Sequence, residues 1–122
     1  MKRPIAPVLA LAFSVLSAGA ALAHAHLTTQ TPAANDAVAA SPSTLSLGFS
    51  EGLEIGLSGV TLKEASGQPI PTGKPVLAPG DDKQMSVPLN APLAAGRYTV
   101  EWHALSKDGH TTHGSYSFTV SP

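Results

Sequence analysis

The sequence contains no cysteine among its 122 residues. That absence excludes disulfide bonds, thiolate metal sites, iron–sulfur clusters and cysteine nucleophiles. Charged residues make up only 12% of the chain, aromatic residues only 5%, and the formal net charge is −1. A basic face for binding nucleic acid is therefore not expected. The chemistry of any site has to come from histidine, aspartate and glutamate side chains.

The chain also lacks helical periodicity after residue 23, and turn residues separate short runs of alternating apolar side chains. Eleven glycines and eleven prolines are too many for a helix bundle and too few for a disordered chain. One domain with about seven short strands predicts an all-β fold, a Greek-key sandwich or barrel. The predicted strands are 25–31, 43–49, 57–64, 68–71, 84–89, 97–105 and 114–120. The proline-rich segment 73–80 is predicted to be an irregular surface loop.

The alternation in three of these strands also predicts which side chains face the core. The inward rows are expected to be Leu45, Leu47 and Phe49, then Tyr98, Val100, Trp102 and Ala104, and finally Tyr116, Phe118 and Val120. Met85 lies alone in an alternating segment, which is typical of a core residue and not of a thioether ligand.

The first 23 residues are predicted to be a cleaved secretory signal peptide. Two basic residues precede an apolar stretch that ends in Ala21-Leu22-Ala23, the small-x-small pattern of a signal-peptidase site. A single transmembrane anchor is the alternative, but the stretch is only just long enough to span a bilayer. Ala23-His24-Ala25 has the same pattern, so cleavage after Ala25 also remains open. Cleavage after Ala23 leaves a mature domain of residues 24–122 in an oxidising compartment, with no membrane span.

A first candidate metal cluster is Asp108-Gly109-His110. On an extended chain, side chains two residues apart point to the same side, so a carboxylate oxygen and an imidazole nitrogen could reach one metal ion. Asp-Gly is equally a common hairpin signal, and a plain surface turn is the alternative.

The second candidate is the start of the mature chain, His24-Ala25-His26. A terminal histidine offers its α-amine and its imidazole to one ion, and a metal can displace the amine's proton near neutral pH. Nitrogen donors combined with a carboxylate suit Cu(II). The alternative is a frayed terminus with two solvated histidines.

The remaining polar residues give weaker signals. His103 is expected to be a strand-face residue, and His113 is expected to be solvated or to lie outside the ligand set. Glu51 follows a predicted strand and is either a hydrogen-bond acceptor that fixes a ligand histidine or a solvated strand end. Ser106, Asp108 and His110 do not indicate a hydrolase, because they span only five positions and no G-x-S-x-G elbow is present.

Four segments carry a wider pattern. They are HAHLTTQTPAAND, TLSLGFSEGLE, GVTLKEASG and LAAGRYTVEWHALSKDGHTTHGSYSFTV. Together they resemble the CopC family of copper-resistance proteins. The last is similar to the family pattern G-x-Y-x-V-x-W-x-x-x-S-x-D-G-H-x-x-x-G-x-x-x-F-x-V. The resemblance covers essentially the whole mature chain.

The resemblance implies a cupredoxin-like or Ig-like β-barrel that binds one Cu(II) per chain in the periplasm. It implies His24, Asp108 and His110 as the metal ligands, with Glu51 nearby. The methionine cluster of some members, a Cu(I) site, is missing here. A non-enzymatic monomer that sequesters copper or passes it to an inner-membrane importer is expected. The alternatives are a copper redox enzyme resembling a lytic polysaccharide monooxygenase and a plain interaction domain whose histidines are incidental.

Overall fold

A computed structural model describes residues 24–122, and the predicted signal peptide at 1–23 lies outside the described residues. The described chain forms nine strands and one single-turn 3-10 helix at Ile55–Leu57. The strands are β1 (Leu27–Thr31), β2 (Ala37–Val38), β3 (Thr44–Phe49), β4 (Gly59–Glu64), β5 (Pro69–Ile70), β6 (Val76–Ala78), β7 (Asp81–Pro88), β8 (Gly96–Leu105) and β9 (Thr111–Val120).

The strands form two sheets, one of four strands in the order β1-β3-β7-β6 and one of five in the order β2-β9-β8-β4-β5. All pairs are antiparallel except the short parallel contact of β2 with β9. The chain passes repeatedly from one sheet to the other, so neither sheet is built from consecutive strands alone. This arrangement confirms the predicted all-β sandwich.

The structure differs from the predicted strands in four main places. The segment 73–80 was expected to be a loop, but it contains β6, which pairs with β7 through a bulge between Leu77 and Ala78. The two-residue strand β2 was not expected at all. β7 begins at Asp81 and not at 84, and β9 begins at Thr111 and not at 114. These segments are too short, or too polar on both faces, to show the alternation from which strands are predicted.

The core lies between the two sheets and contains all three predicted inward rows. Leu45, Leu47, Val100, Ala104 and Phe118 have no exposed surface, and the other members of the rows are also buried. Phe49 and Trp102 pack edge to face at a centroid distance of 5.3 Å, while Tyr98 stacks on Phe118 at 5.8 Å. Met85 is fully buried, as predicted.

Three chain segments meet at one end of the sandwich. They are the segment before β1, the connection after β3 and the turn between β8 and β9. Ser50 N–H donates to the His26 carbonyl at 2.9 Å, and Lys107 N–H donates to the Gly52 carbonyl at 3.0 Å. Leu53 also forms an isolated bridge with Ser106. These backbone contacts bring the mature N-terminus close to the Asp108-Gly109-His110 segment.

Gly114 allows Trp102 to pack closely against β9. A Cβ at Gly114 would lie 2.8 Å from Cζ2 of Trp102, closer than non-bonded carbon atoms approach in folded proteins. We therefore expect Gly114→Ala to lower the free energy of unfolding by about 1–3 kcal/mol, the usual cost of overpacking a core. Equilibrium urea unfolding of the mature chain measures this loss.

Ser115→Ala is the matched control for this variant, because Ser115 is the next residue and is exposed on the opposite face. We expect its effect to stay within about 0.5 kcal/mol. Equal stability of the Gly114→Ala variant and the wild type would contradict the close packing described here.

Candidate metal centre

The Asp108-Gly109-His110 segment forms the turn between β8 and β9. The Gly109 N–H donates to the Ser106 carbonyl at 2.9 Å, and Gly109 has a φ of +95°, a conformation that favours glycine. The expectation that Asp108 and His110 lie on an extended chain is therefore wrong. The turn nevertheless brings the two side chains together, because the left-handed residue between them bends the backbone back.

Ser106 organises this turn from beneath. It is 1% exposed, and its backbone N–H donates to the His110 carbonyl at 2.9 Å. Its hydroxyl forms a short hydrogen bond to Oδ1 of Asp108. This hydrogen bond is the main reason that the pKa of Asp108 is lowered from its ordinary value, with smaller contributions from His110. The carboxylate is therefore held in its ionised form.

Asp108 also orients the His110 imidazole. Oδ1 of Asp108 lies 3.1 Å from Nδ1 of His110, and the two side chains are 39% and 52% exposed. The contact holds the ring beside the carboxylate, and a neutral imidazole keeps one nitrogen lone pair that can bind a metal. A carboxylate paired in this way keeps its second oxygen available.

His24 lies over His110. The two ring centroids are 4.6 Å apart with an interplanar angle of 31°, whereas the rings of His24 and His26 are 6.4 Å apart. The first residue of the predicted mature chain thus lies against the D-G-H turn, although the two are far apart in sequence.

Hydrogen bonds hold the segment around His24 in place. The Ser50 hydroxyl accepts the His26 N–H at 2.9 Å and donates to the His24 carbonyl at 3.2 Å. The Thr112 hydroxyl donates to the carbonyl of Ala25 at 2.7 Å, and Ala25 has no exposed surface. A frayed terminus, the alternative considered above, does not describe this segment.

Side chains alone do not complete a metal site. Within residues 24–122, no group of three or more histidine, aspartate or glutamate side chains lies close enough together to hold a metal ion. The side chains of His24, Asp108 and His110 are neighbours, but they do not converge on one point. A metal ion bound in this arrangement of the described side chains would lack a third side-chain donor.

The other predicted residues lie around this cluster or away from it. Glu51 follows Ser50 in the connection after β3 and is half-buried; its role as a hydrogen-bond acceptor stays a prediction. His103 and His113 lie opposite each other on β8 and β9. Both are exposed on the outer face of the five-stranded sheet, outside the cluster of His24 and His110.

An ion pair flanks the turn. Lys107 Nζ lies 2.9 Å from Oδ2 of Asp82. The hydrogen bond between them lowers the pKa of Asp82 and raises the pKa of Lys107. Both groups therefore remain charged at neutral pH, and the lysine is directed to Asp82 and not to Asp108.

The sequence analysis did not identify Ser50, Ser106 and Thr112, the three residues that position the cluster. Ser106 belongs to the S-x-D-G-H pattern, and Ser50 lies between Phe49 and Glu51 in a segment quoted for the family resemblance. Both could have been selected on that ground. The sequence carries no signal for Thr112, whose partner Ala25 is 87 residues away. Among the described residues, no helix has the length and apolar character needed to cross a membrane.

One family model and several known proteins are similar to this chain over most of its length. The model of the CopC domain matches residues 27–121. Protein YobA of Escherichia coli (strain K12) is 48% identical over 98 residues, which are 80% of this chain and 79% of YobA. Copper resistance protein C of Escherichia coli is 39% identical over 119 residues, covering 93% of this chain and 89% of that protein.

Solved structures agree with this result. CopC from Methylosinus trichosporium OB3b has a TM-score of 0.76 at 32% identity, covering 81% of this chain and 95% of that one. PcoC from Escherichia coli, a methionine-rich copper resistance protein, has a TM-score of 0.73 at 38% identity, covering 81% and 100%. The relatives whose names state a function are copper resistance or copper transport proteins. These names confirm the expectation that the chain is not an enzyme. The family model matches nearly all of the described residues, and the chain therefore belongs to the CopC family.

Proposed function

We propose that this protein binds one Cu(II) ion per mature chain and either sequesters copper or carries it to a partner. The observation that supports this function best is the position of His24, whose ring lies 4.6 Å from that of His110. His110 in turn contacts the Asp108 carboxylate. The proposed ligands are His24, Asp108 and His110, and copper is the cargo of the protein.

The missing donor is the α-amine that signal cleavage creates on His24. Amine and imidazole of one residue form a chelate ring, and the amine's ordinary pKa of about 8 lets a metal displace its proton. Asp108 adds a carboxylate oxygen and His110 adds a second imidazole. Nitrogen and oxygen donors of this kind favour Cu(II) over the other divalent first-row ions.

The hydrogen bonds of Ser50 and Thr112 support this ligand set. A free chain end would lose conformational entropy on binding the metal. Here the backbone of residues 24–26 is already fixed beside the turn. Glu51, the neighbour of Ser50, is proposed to accept a hydrogen bond from a ligand histidine and so to orient its ring.

Location and partner belong to the same proposal. Export with cleavage after Ala23 places residues 24–122 in the periplasm, and cleavage after Ala25 would make His26 the terminal residue instead. Copper transport protein CutJ of Bacillus subtilis is 28% identical over 120 residues, covering 98% of this chain but only 22% of CutJ. A chain like this one thus corresponds to part of a longer copper transport protein, which supports an inner-membrane importer as the partner of a monomeric carrier.

The ligand variants test the side-chain donors. Asp108→Ala and His110→Ala should each weaken Cu(II) binding at least about tenfold, since losing even an outer partner of a metal ligand typically costs 10–100-fold. Competition titration with a Cu(II) chelator measures the affinity, and thermal unfolding of the metal-free variants measures stability. Asp82→Asn is the matched control, because it removes a carboxylate charge at the same end without removing a proposed ligand. Equal affinity of Asp108→Ala and the wild type would contradict the ligand set.

The α-amine is tested by extending the mature chain by one residue before His24. The extension converts the amine into an amide, a much poorer donor, and leaves every side chain in place. Cu(II) affinity should fall by several orders of magnitude, while the stability of the metal-free protein hardly changes, because a terminus contributes little packing. Mass spectrometry of the exported protein identifies the native cleavage site. Tight binding by the extended chain would show that the site is built from side chains only.

The protein should hold Cu(I) poorly. Thioether and thiolate donors favour Cu(I), but the chain has no cysteine, and Met85 is fully buried in the core. Reducing the copper-loaded protein beside a competing Cu(I) chelator should transfer the metal to the chelator, as the chelator's absorbance will report. Retention of Cu(I) by the protein would mean that imidazoles form a Cu(I) site.

A further inference from the structure

We propose that His103 and His113 form a second, weaker metal site. The site takes divalent transition-metal ions and binds Cu(II) most tightly among them. The site lies within one chain, on the outer face of the five-stranded sheet. It uses none of the residues assigned to the proposed Cu(II) site, so it stands or falls independently of the function proposed above.

The strand register places the two histidines opposite each other. His103 of β8 pairs with His113 of β9, and both side chains are exposed. Directly opposed residues on antiparallel strands have their Cβ atoms about 4.5–5.5 Å apart. Two imidazoles at that separation can direct one nitrogen each to a shared ion at metal–nitrogen distances of about 2.0–2.1 Å.

The surface around the pair leaves room for a hydrated ion. His103 and His113 line an open groove with a volume of about 440 Å³, together with Thr61, Glu101, Trp102 and neighbouring residues of β9. Two protein nitrogens and several water molecules can therefore complete the coordination of a divalent transition metal.

The His103 ring has to turn before both imidazoles can bind. It now lies over Gly59 of β4, with Cε1 3.4 Å from the position that a Cβ of Gly59 would occupy. Binding requires a rotamer in which the ring faces β9. Exposed side chains change rotamer within picoseconds to nanoseconds, so this step does not limit access. It does predict a change of the His103 χ1 angle on metal binding.

Electrostatics and the number of donors make this site weaker than the proposed terminal one. Glu101 lies two residues before His103 on the same face, but its carboxylate pairs with Lys63 at 3.1 Å. It is therefore not counted as a ligand. The site has two imidazoles and no chelating amine or carboxylate. Its affinities should follow the general order for divalent ions, in which Cu(II) binds most tightly.

The two sites would be near each other. His113 follows His110 by three residues along β9 and its approach, a separation of roughly 10 Å at about 3.4 Å per residue. An ion bound in the groove would lie beside the terminal site without sharing a ligand with it.

A Cu(II) titration of the mature chain by calorimetry tests the second site. The wild type should show a tight event and a separate weaker event of one ion per chain. His103→Ala and His113→Ala should each abolish the weaker event and keep the tight one. His110→Ala should weaken the tight event at least about tenfold and leave the weaker one unchanged. Ser115→Ala, on the same face two residues after His113, should keep both events.

A second measurement locates the ion. Zn(II), which is diamagnetic, should shift the imidazole resonances of His103 and His113 together and change the χ1-dependent couplings of His103. The proposal is overturned by a wild type with no weaker event, or by a weaker event that survives both histidine substitutions. It is also overturned by binding of half an ion per chain accompanied by dimerisation. A wild type that shows the weaker event but no tight event would instead count against the terminal Cu(II) site.

Discussion

The ladder between β8 and β9 is the constraint on which the rest of the structure depends. Its register, from Gly96 opposite Val120 to Leu105 opposite Thr111, fixes both faces of the sheet at once. The inner face carries Trp102 and Phe118 into the core, and the outer face carries His103 and His113. The D-G-H turn connects the two strands at one end of the ladder. A shift of one residue would exchange the faces and displace the turn.

The candidate centre depends on a second, long-range set of contacts. A mature terminus normally contributes little order, but Ser50 and Thr112 fix residues 24–26 from two different sheets. Ser50 follows a strand of the four-stranded sheet, and Thr112 belongs to the five-stranded one. The terminal residue thus lies where the two sheets meet, beside the turn that carries Asp108 and His110.

Much of the fold could be predicted from alternation, and less of the site. The inward rows were right because more and less buried positions alternate in β8, in β9 and, as far as Leu47, in β3. β2 and β6 were missed because two or three residues cannot display a period. For Asp108 and His110 the predicted proximity was right but the predicted backbone was wrong, since Gly109 makes a turn. The contact between Thr112 and Ala25 spans 87 residues, and no local pattern encodes a contact at that distance.

Preorganisation ranks the two proposed metal sites. In the terminal cluster, Ser106 already holds the Asp108 carboxylate ionised, and Asp108 already orients His110. An arriving ion therefore has to turn side chains, but the backbone that carries them is already fixed, so little affinity is lost to ordering the chain. In the groove, His103 must first leave its position over Gly59. The nearby Glu101 carboxylate is paired with Lys63 and is not counted as a donor. The same ladder thus supports a rigid cluster at its end and an adaptable histidine pair on its face, and the difference in rigidity makes the first site the tighter one.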